Sequence, residues 1–304
     1  IMNKHMSKSQ AVRIQYSMKK AIVANAWKKW QGEAGGIKKR KTVQTNQDYE
    51  KRFIQWAKGT EYDGIVEHID SLYKELETPH FIVDVFSETA QTIEIARLAR
   101  QVSGHSLETV KNIAKSFFKD YYQPIDKECF IALMSEFGNM ISTELQPEFY
   151  KEQMAKYGSV EVWADSLFAS SIFTDEAKME SLGEDYKDIL RNDPASIYYI
   201  EMQNWALPYL NKARTINREL QLSYRTYMRG QIEFAPDRTV YYPDANLTLR
   251  VSYGHIKGYS PADGIYFHPS STLKGIIEKD NPGIFDYNIP QKLRDIYAKK
   301  DFGR

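Results

Sequence analysis

Residues 193–230 read DPASIYYIEMQNWALPYLNKARTINRELQLSYRTYMRG, and this stretch decides the fold. Asp193 ahead of Pro194 marks a helix start: the Asp oxygen can accept an orphan backbone N–H, and proline needs none at the first helical position. The helix that begins there is expected to be long. Pro208 is expected to kink it, and Gly230 to end it by taking the left-handed conformation.

Towards the N-terminus, from about residue 8 onward, the chain reads as helix after helix without a hairpin signal. Breaks are expected at Gly35-Gly36, Gly59, Thr78-Pro79, Gly104, Pro124, Gly158 and Asp193-Pro194. No repeat of fixed period runs through it. Towards the C-terminus the pattern changes. Leu247, Leu249, Val251 and Tyr253 alternate with Thr248, Arg250 and Ser252, the period of a half-buried strand. Gly264-Ile265-Tyr266-Phe267 and Thr272-Leu273-Lys274-Gly275-Ile276-Ile277 also read as strands, with turn chemistry at Asp263-Gly264 and His268-Pro269. So few strands cannot close a barrel. A sheet is begun and left unfinished at Arg304, so the sequence looks truncated at both ends. The expected fold is mainly α: a large helical domain over residues 1–235, then a short β segment over 236–304.

Of the 304 residues 42% are hydrophobic, enough for one large core or two ordinary ones. Basic and acidic side chains number 41 and 40, a formal net charge of +1, which excludes a whole-molecule field favouring nucleic acid or an anionic membrane. The 13% of aromatics, 21 tyrosines among them, argues against disorder. The basic run Lys38, Lys39, Arg40, Lys41 reads as a solvated loop after Gly35-Gly36. The one cysteine, Cys129, lies within a helical pattern and is expected to be a buried, inert thiol. No run of about 18 apolar residues is present to span a membrane, and Ile1-Met2-Asn3-Lys4-His5 lacks the pattern of a signal peptide.

Chemistry is hard to place by motif. His255 and His268 stand near Ser252, Ser270, Ser271, Asp244 and Asp263, but no Gly-x-Ser-x-Gly elbow accompanies them, so they read as polar surface or turn residues. His5, His68, His80 and His105 are scattered without metal-ligand spacing, and no metal is expected. No glycine-rich phosphate loop follows a strand, and no cofactor is expected. One polar residue stands out. Asn25 shares a helix face with Met18 and Ile22, and its amide either bonds a neighbouring helix or receives a hydrogen bond from a substrate ammonium at the edge of a cleft. Trp27 and Trp30 read as packing residues.

Several segments together carry a family resemblance. Ala11-Val12-Arg13-Ile14-Gln15-Tyr16-Ser17-Met18-Lys19-Lys20, continuing through Asn25-Ala26-Trp27-Lys28, resembles the opening of the helical domain of bacterial dipeptidyl-peptidases 7 and 11, although that family usually has an aromatic where Ala26 stands. Ser171-Ile172-Phe173-Thr174-Asp175 is similar to another of its signatures. So are Tyr242-Pro243-Asp244-Ala245-Asn246-Leu247-Thr248-Leu249-Arg250, Tyr253-Gly254, Gly258-Tyr259, Thr272-Leu273-Lys274-Gly275, Glu278-Lys279 and the tail Lys300-Asp301-Phe302-Gly303-Arg304.

The resemblance covers essentially the whole chain. It implies a periplasmic or secreted serine exopeptidase that removes dipeptides from the free N-terminus of peptides, with a helical cap inserted between the halves of a chymotrypsin-like double barrel. It implies that residues 236–304 begin the second half of that barrel, and that the triad lies outside this chain, which then holds no catalytic residue and is inactive alone. It places Asn25 at the asparagine that holds the substrate amine. The implied partners are peptides with a free N-terminus and the catalytic segments of the same protein, with a homodimer left open. Two other readings compete: a free-standing helical peptide-binding or scaffold protein, and a compact hydrolase using His255 or His268.

Overall fold

A computed structural model describes residues 1–235, 247, 249 and 251–303. The chain divides into two compact units, Ile1–Thr239 and Val240–Arg304. The described part of the first is entirely helical: α1 (Met2–Met6), α2 (Gln10–Lys39), α3 (Thr42–Ala57), α4 (Ile65–Glu88), α5 (Glu94–Val102), α6 (Leu107–Lys119), α7 (Gln123–Met140), α8 (Glu148–Tyr157), α9 (Val160–Ser170), α10 (Glu176–Glu180), α11 (Tyr186–Asn192) and α12 (Pro194–Phe234), with single 3-10 turns at Ala90–Thr92 and Ile172–Thr174.

Local chemistry sets several boundaries as the sequence suggests. Ser106, Ser159 and Asp193 cap α6, α9 and α12 with their side chains. Gly158 ends α8 at φ 76°, a conformation that costs a residue with a Cβ about 1 kcal/mol or more. Asp193 does more than cap. Its buried carboxylate accepts the Ala195 N–H at 2.8 Å, the Ser171 hydroxyl at 2.8 Å and the Ile172 N–H at 2.8 Å, which fastens the 3-10 turn after α9 to the start of α12.

Tertiary packing overrides other sequence signals. Pro79 does not break a helix; it sits buried inside α4. There Ile69, Leu72 and Leu76 pack with Ala213, Ile216 and Leu220 of α12, so burying this apolar stripe offsets the lost backbone bond. Gly35-Gly36 do not interrupt α2, which runs on to Lys39 and places Lys38 and Lys39 in a last turn where the helix dipole favours cations; this basic run is helical up to Lys39, not a loop. The single helix α12 passes through Pro208 and through Gly230. Gly230 therefore ends nothing. A Cβ there would lie 2.9 Å from Phe53 Cζ and 3.1 Å from Tyr62 Cδ1, so glycine is what lets these rings reach the helix.

The main core is aromatic. Phe130 of α7 meets Trp163 of α9 edge to face, with centroids 5.0 Å apart, and Tyr198 of α12 packs tilted on Phe130 at 5.3 Å. The polar ends of these residues are satisfied: the Tyr198 hydroxyl donates to the Ala90 carbonyl at 3.1 Å, and Trp205 Nε1 to the Leu145 carbonyl at 2.8 Å. A satellite cluster of Phe53, Ala57 and Tyr62 is completed by Tyr227 and Phe234 near the end of α12.

The second unit holds a hairpin, β1 (Tyr259–Ala262) and β2 (Ile265–Phe267), then α13 (Leu273–Ile277) and α14 (Gln291–Lys299). The Asp263-Gly264 turn forms as expected, with antiparallel pairing of Ala262 with Ile265 and a register shift towards Tyr259 and Phe267. Thr272–Ile277 is not a strand; Leu273–Ile277 is helical, an ambiguity inherent in a short apolar run. Of the expected strand at 247–253, Thr248 and Arg250 lie outside the described residues, and Val251–Tyr253 form no strand. Leu247, Leu249, Val251 and Tyr253 are all strongly exposed, so their alternation meets no sheet among the described residues. Arg294 grips Asp280 with two nitrogens, at 2.6 and 2.8 Å, joining α14 to the segment after α13.

Candidate functional site

The site is built on α2, whose two ends behave differently. Its first turns are anchored. Ser9 caps the helix, and Val12 and Tyr16 are buried against Ile125 of α7. The Tyr16 hydroxyl donates to Glu94 Oε1 at 2.9 Å and accepts the Tyr122 N–H at 3.0 Å. Lys19 pairs with the other Glu94 oxygen, donates to the Asp120 carbonyl, and lies 4.3 Å from the centre of the Tyr16 ring. Gln15 Nε2 donates to the Lys119 carbonyl at 2.8 Å.

Beneath this anchor, Asp126 is 1% exposed and accepts the N–H groups of Glu94 at 2.7 Å and Ile95 at 3.1 Å, capping the start of α5 from another helix. Burial, and then the neighbouring Glu94 charge, push the Asp126 carboxyl up to about 7, although the two N–H donors and Lys19 oppose the shift. Burial also raises the Tyr16 hydroxyl far above its usual range, so it stays a neutral donor. The Cys129 thiol, half-buried on the same helix as Asp126, is pushed up to about 11 by burial and is unreactive as a thiolate near neutral pH, as the sequence suggests.

Beyond Lys19, α2 leaves this packing and becomes an arm. Residues 25–35 are all exposed. Asn25 stands six residues past Lys19, about 9 Å along the axis at the usual helical rise, and shares its face with exposed Met18 and Ile22. Its amide has no hydrogen-bond partner among the described residues. Trp27 and Trp30 are not core residues either. They stack on each other at 5.2 Å and are 57% and 60% exposed, because no described element covers this length of the arm. At the foot of the arm a cleft of about 510 Å³ is lined by Lys19, Glu94, Arg97, Gln101, Phe117 and Asp120, among others. A free amide can offer its carbonyl to a substrate ammonium, and the cleft adds both charge signs within the same unit.

The weaker hydrolytic candidates are not assembled. His268 packs edge-on against Tyr266 at 5.0 Å, and His255 is exposed, with no serine or carboxylate bonded to either among the described residues; Asp244 lies outside them. His5, His68 and His80 each meet a single carboxylate, of Glu128, Glu219 and Asp84, and no metal-holding cluster exists among the described residues. The Tyr16–Glu94–Asp126 network escaped the sequence reading. Its one local signal is an acid in the first turn of α7, a common helix-dipole residue that gives no hint of capping another helix.

The sequence model of the family described as Peptidase S46 matches residues 1–304, the whole chain. The chain is 31% identical to an Asp/Glu-specific dipeptidyl-peptidase of Capnocytophaga gingivalis, over all of its own length and 45% of that protein's. It is 28% identical to a dipeptidyl-peptidase 7 of Phocaeicola vulgatus, again over all of its own length and 45% of the relative's. Among solved structures it resembles DPP11 of Porphyromonas endodontalis in complex with the dipeptide Arg-Glu, with a TM-score of 0.69 at 26% identity, covering 99% of this chain and 46% of that one. The chain thus spans about half the length of the relatives it matches. No helix among the described residues is long and apolar enough to cross a membrane.

Proposed function

Because this chain belongs to the peptidase S46 family, we propose that it forms the helical cap and an adjoining segment of a periplasmic or secreted serine dipeptidyl-peptidase, with Asn25 holding the free N-terminus of the peptide substrate. The observation that carries the reading is the state of Asn25: an amide with no hydrogen-bond partner among the described residues, on an arm whose root is fixed by Tyr16 and Lys19. An exopeptidase must count two residues from a charged end, so it needs an ammonium site at a fixed distance from its nucleophile. A helix anchored at one end and free along the next turns provides such a fixed point. The nucleophile, base and orienting acid come from parts of the protein other than these residues, and residues 236–304 contribute to the second half of its barrel. Covering the cleft with the helical unit would exclude water around the reacting bond.

The test compares chromogenic dipeptide substrates carrying free and acetylated N-termini. The full-length enzyme should turn over the free form and lose most activity on the acetylated one, and these 304 residues alone should turn over neither. Equal turnover of both forms by the full-length enzyme, or activity of the chain alone above a heat-killed control, would overturn the reading.

A further inference from the structure

A second cleft, of about 560 Å³, opens in the helical unit where α5, the loop after it, α11 and the first turns of α12 meet. Its charged lining has one sign. Arg100 of α5 and Lys187 and Arg191 of α11 face it with no carboxylate among the lining residues, and none of the three forms an ion pair among the described residues. The cleft wall is otherwise apolar, formed by Ala99, Val102, Leu190 and Ile200 with the ring of Tyr199. At the wall sits Ser196, a residue 7% exposed overall, whose hydroxyl forms no hydrogen bond among the described residues and can donate to a ligand in the cleft. The walls are held in place, because the Tyr186 hydroxyl donates to the His105 carbonyl at 3.0 Å and ties α11 to the loop after α5.

We propose that this cleft binds a small amphipathic carboxylate, its anionic end between Arg100, Lys187 and Arg191 with a hydrogen bond from Ser196, and its apolar part against Leu190, Tyr199 and Ile200. Converging cations in a cleft with low-dielectric walls concentrate anions there, and guanidinium groups match a carboxylate in planar, paired hydrogen bonds. The volume, in the range of small-ligand sites, accommodates more than an inorganic ion. The cleft is separate from the residues around Lys19 and Glu94, and its role does not depend on how Asn25 acts.

The experiment is calorimetric titration of the full chain in low-chloride buffer with 3-phenylpropionate, and with 3-phenylpropionamide as the uncharged isostere. The carboxylate should bind saturably at one site, at least about tenfold tighter than the amide. An Arg100→Ala, Arg191→Ala double variant should weaken it at least about tenfold with an unchanged melting temperature, since neither side chain forms a hydrogen bond or ion pair among the described residues. Ser196→Ala should weaken the carboxylate by a smaller factor. Failure to saturate by about 20 mM, a carboxylate-to-amide ratio under about tenfold, or a stably folded double variant that binds within about twofold of wild type would each overturn the proposal.

Discussion

The Asp126 carboxylate, buried in α7, accepts the backbone N–H of Glu94 at 2.7 Å, while the Glu94 side chain receives the hydroxyl of Tyr16. Three helices far apart in sequence thus meet in one polar chain, and the root of the α2 arm depends on it. The Asp126 carboxyl is raised from 3.8 to about 7 by burial and by Glu94. With its folded value above its unfolded one, the native state holds more protons through that window. This group's contribution to stability is therefore fully present below about pH 4 and declines as pH rises towards about 7. Asp126→Asn abolishes the titration and turns one acceptor into a donor facing an N–H, at a cost of about 1–3 kcal/mol. Urea denaturation should show wild type as the more stable protein at pH 5, with the gap narrowing by pH 8. A gap that stays constant or widens would mean that Asp126 is ionised in the native state throughout.

Gly230 faces ring atoms that cannot retreat, since Phe53 is fully buried. Alanine in a helix gains about 1 kcal/mol over glycine, but at position 230 its Cβ would press on Phe53 Cζ at 2.9 Å. Overpacking of about 1–3 kcal/mol should outweigh the propensity gain, so Gly230→Ala should lose stability. Gly32, on the exposed arm, has nothing within 4 Å of a Cβ, and Gly32→Ala should be neutral or stabilising by up to about 1 kcal/mol. Chemical denaturation of the two variants separates the effects, and a stabilised Gly230→Ala would show that the rings yield.

What was legible in the sequence follows from the range of the interactions involved. Asp193 before Pro194 and Gly158 could be read because caps and left-handed turns are set within a few residues. Pro79 could not, because what holds it in a helix is α12, more than a hundred residues away. Thr272–Ile277 carries an apolar run too short to separate helix from strand. Asn25 was visible as a polar residue on an apolar face. That this face is exposed, and that Trp27 and Trp30 are too, depends on α2 outrunning its neighbours, which no local pattern encodes. The Tyr16–Glu94 bond spans 78 residues and the Glu94–Asp126 bond 32, so the anchor emerges only in three dimensions.

Asp193 joins two segments, so its loss should exceed that of a simple cap. Burial raises its carboxyl above the usual range, against the pull of Ile172, Ser171 and Ala195 donors. Asp193→Ala removes the cap and leaves the Ile172 N–H and the Ser171 O–H without their acceptor, although the Ser171 oxygen still accepts the Phe173 N–H, an expected loss of about 2–4 kcal/mol. Ser106→Ala, a cap near the surface, should cost about 1 kcal/mol or less. Comparable losses in thermal or urea denaturation would show that the Ser171 contacts add nothing to stability.

The Asn25 proposal can be separated from a structural role because the amide forms no hydrogen bond among the described residues. Asn25→Ala in the full-length enzyme should leave the melting temperature within about a degree, since exposed substitutions without partners change stability by about 0.5 kcal/mol or less. If the amide holds the substrate ammonium, losing that charge-assisted bond should cost about 1.5–3 kcal/mol, or roughly 10- to 150-fold in kcat/KM on peptides with a free N-terminus. On N-acetylated peptides wild type is already without the ammonium, so the variant should lose little further, and its preference for the free form should shrink by the same factor. Unchanged discrimination in a stably folded variant would assign amine recognition to other residues and leave Asn25 as a solvated position on the arm.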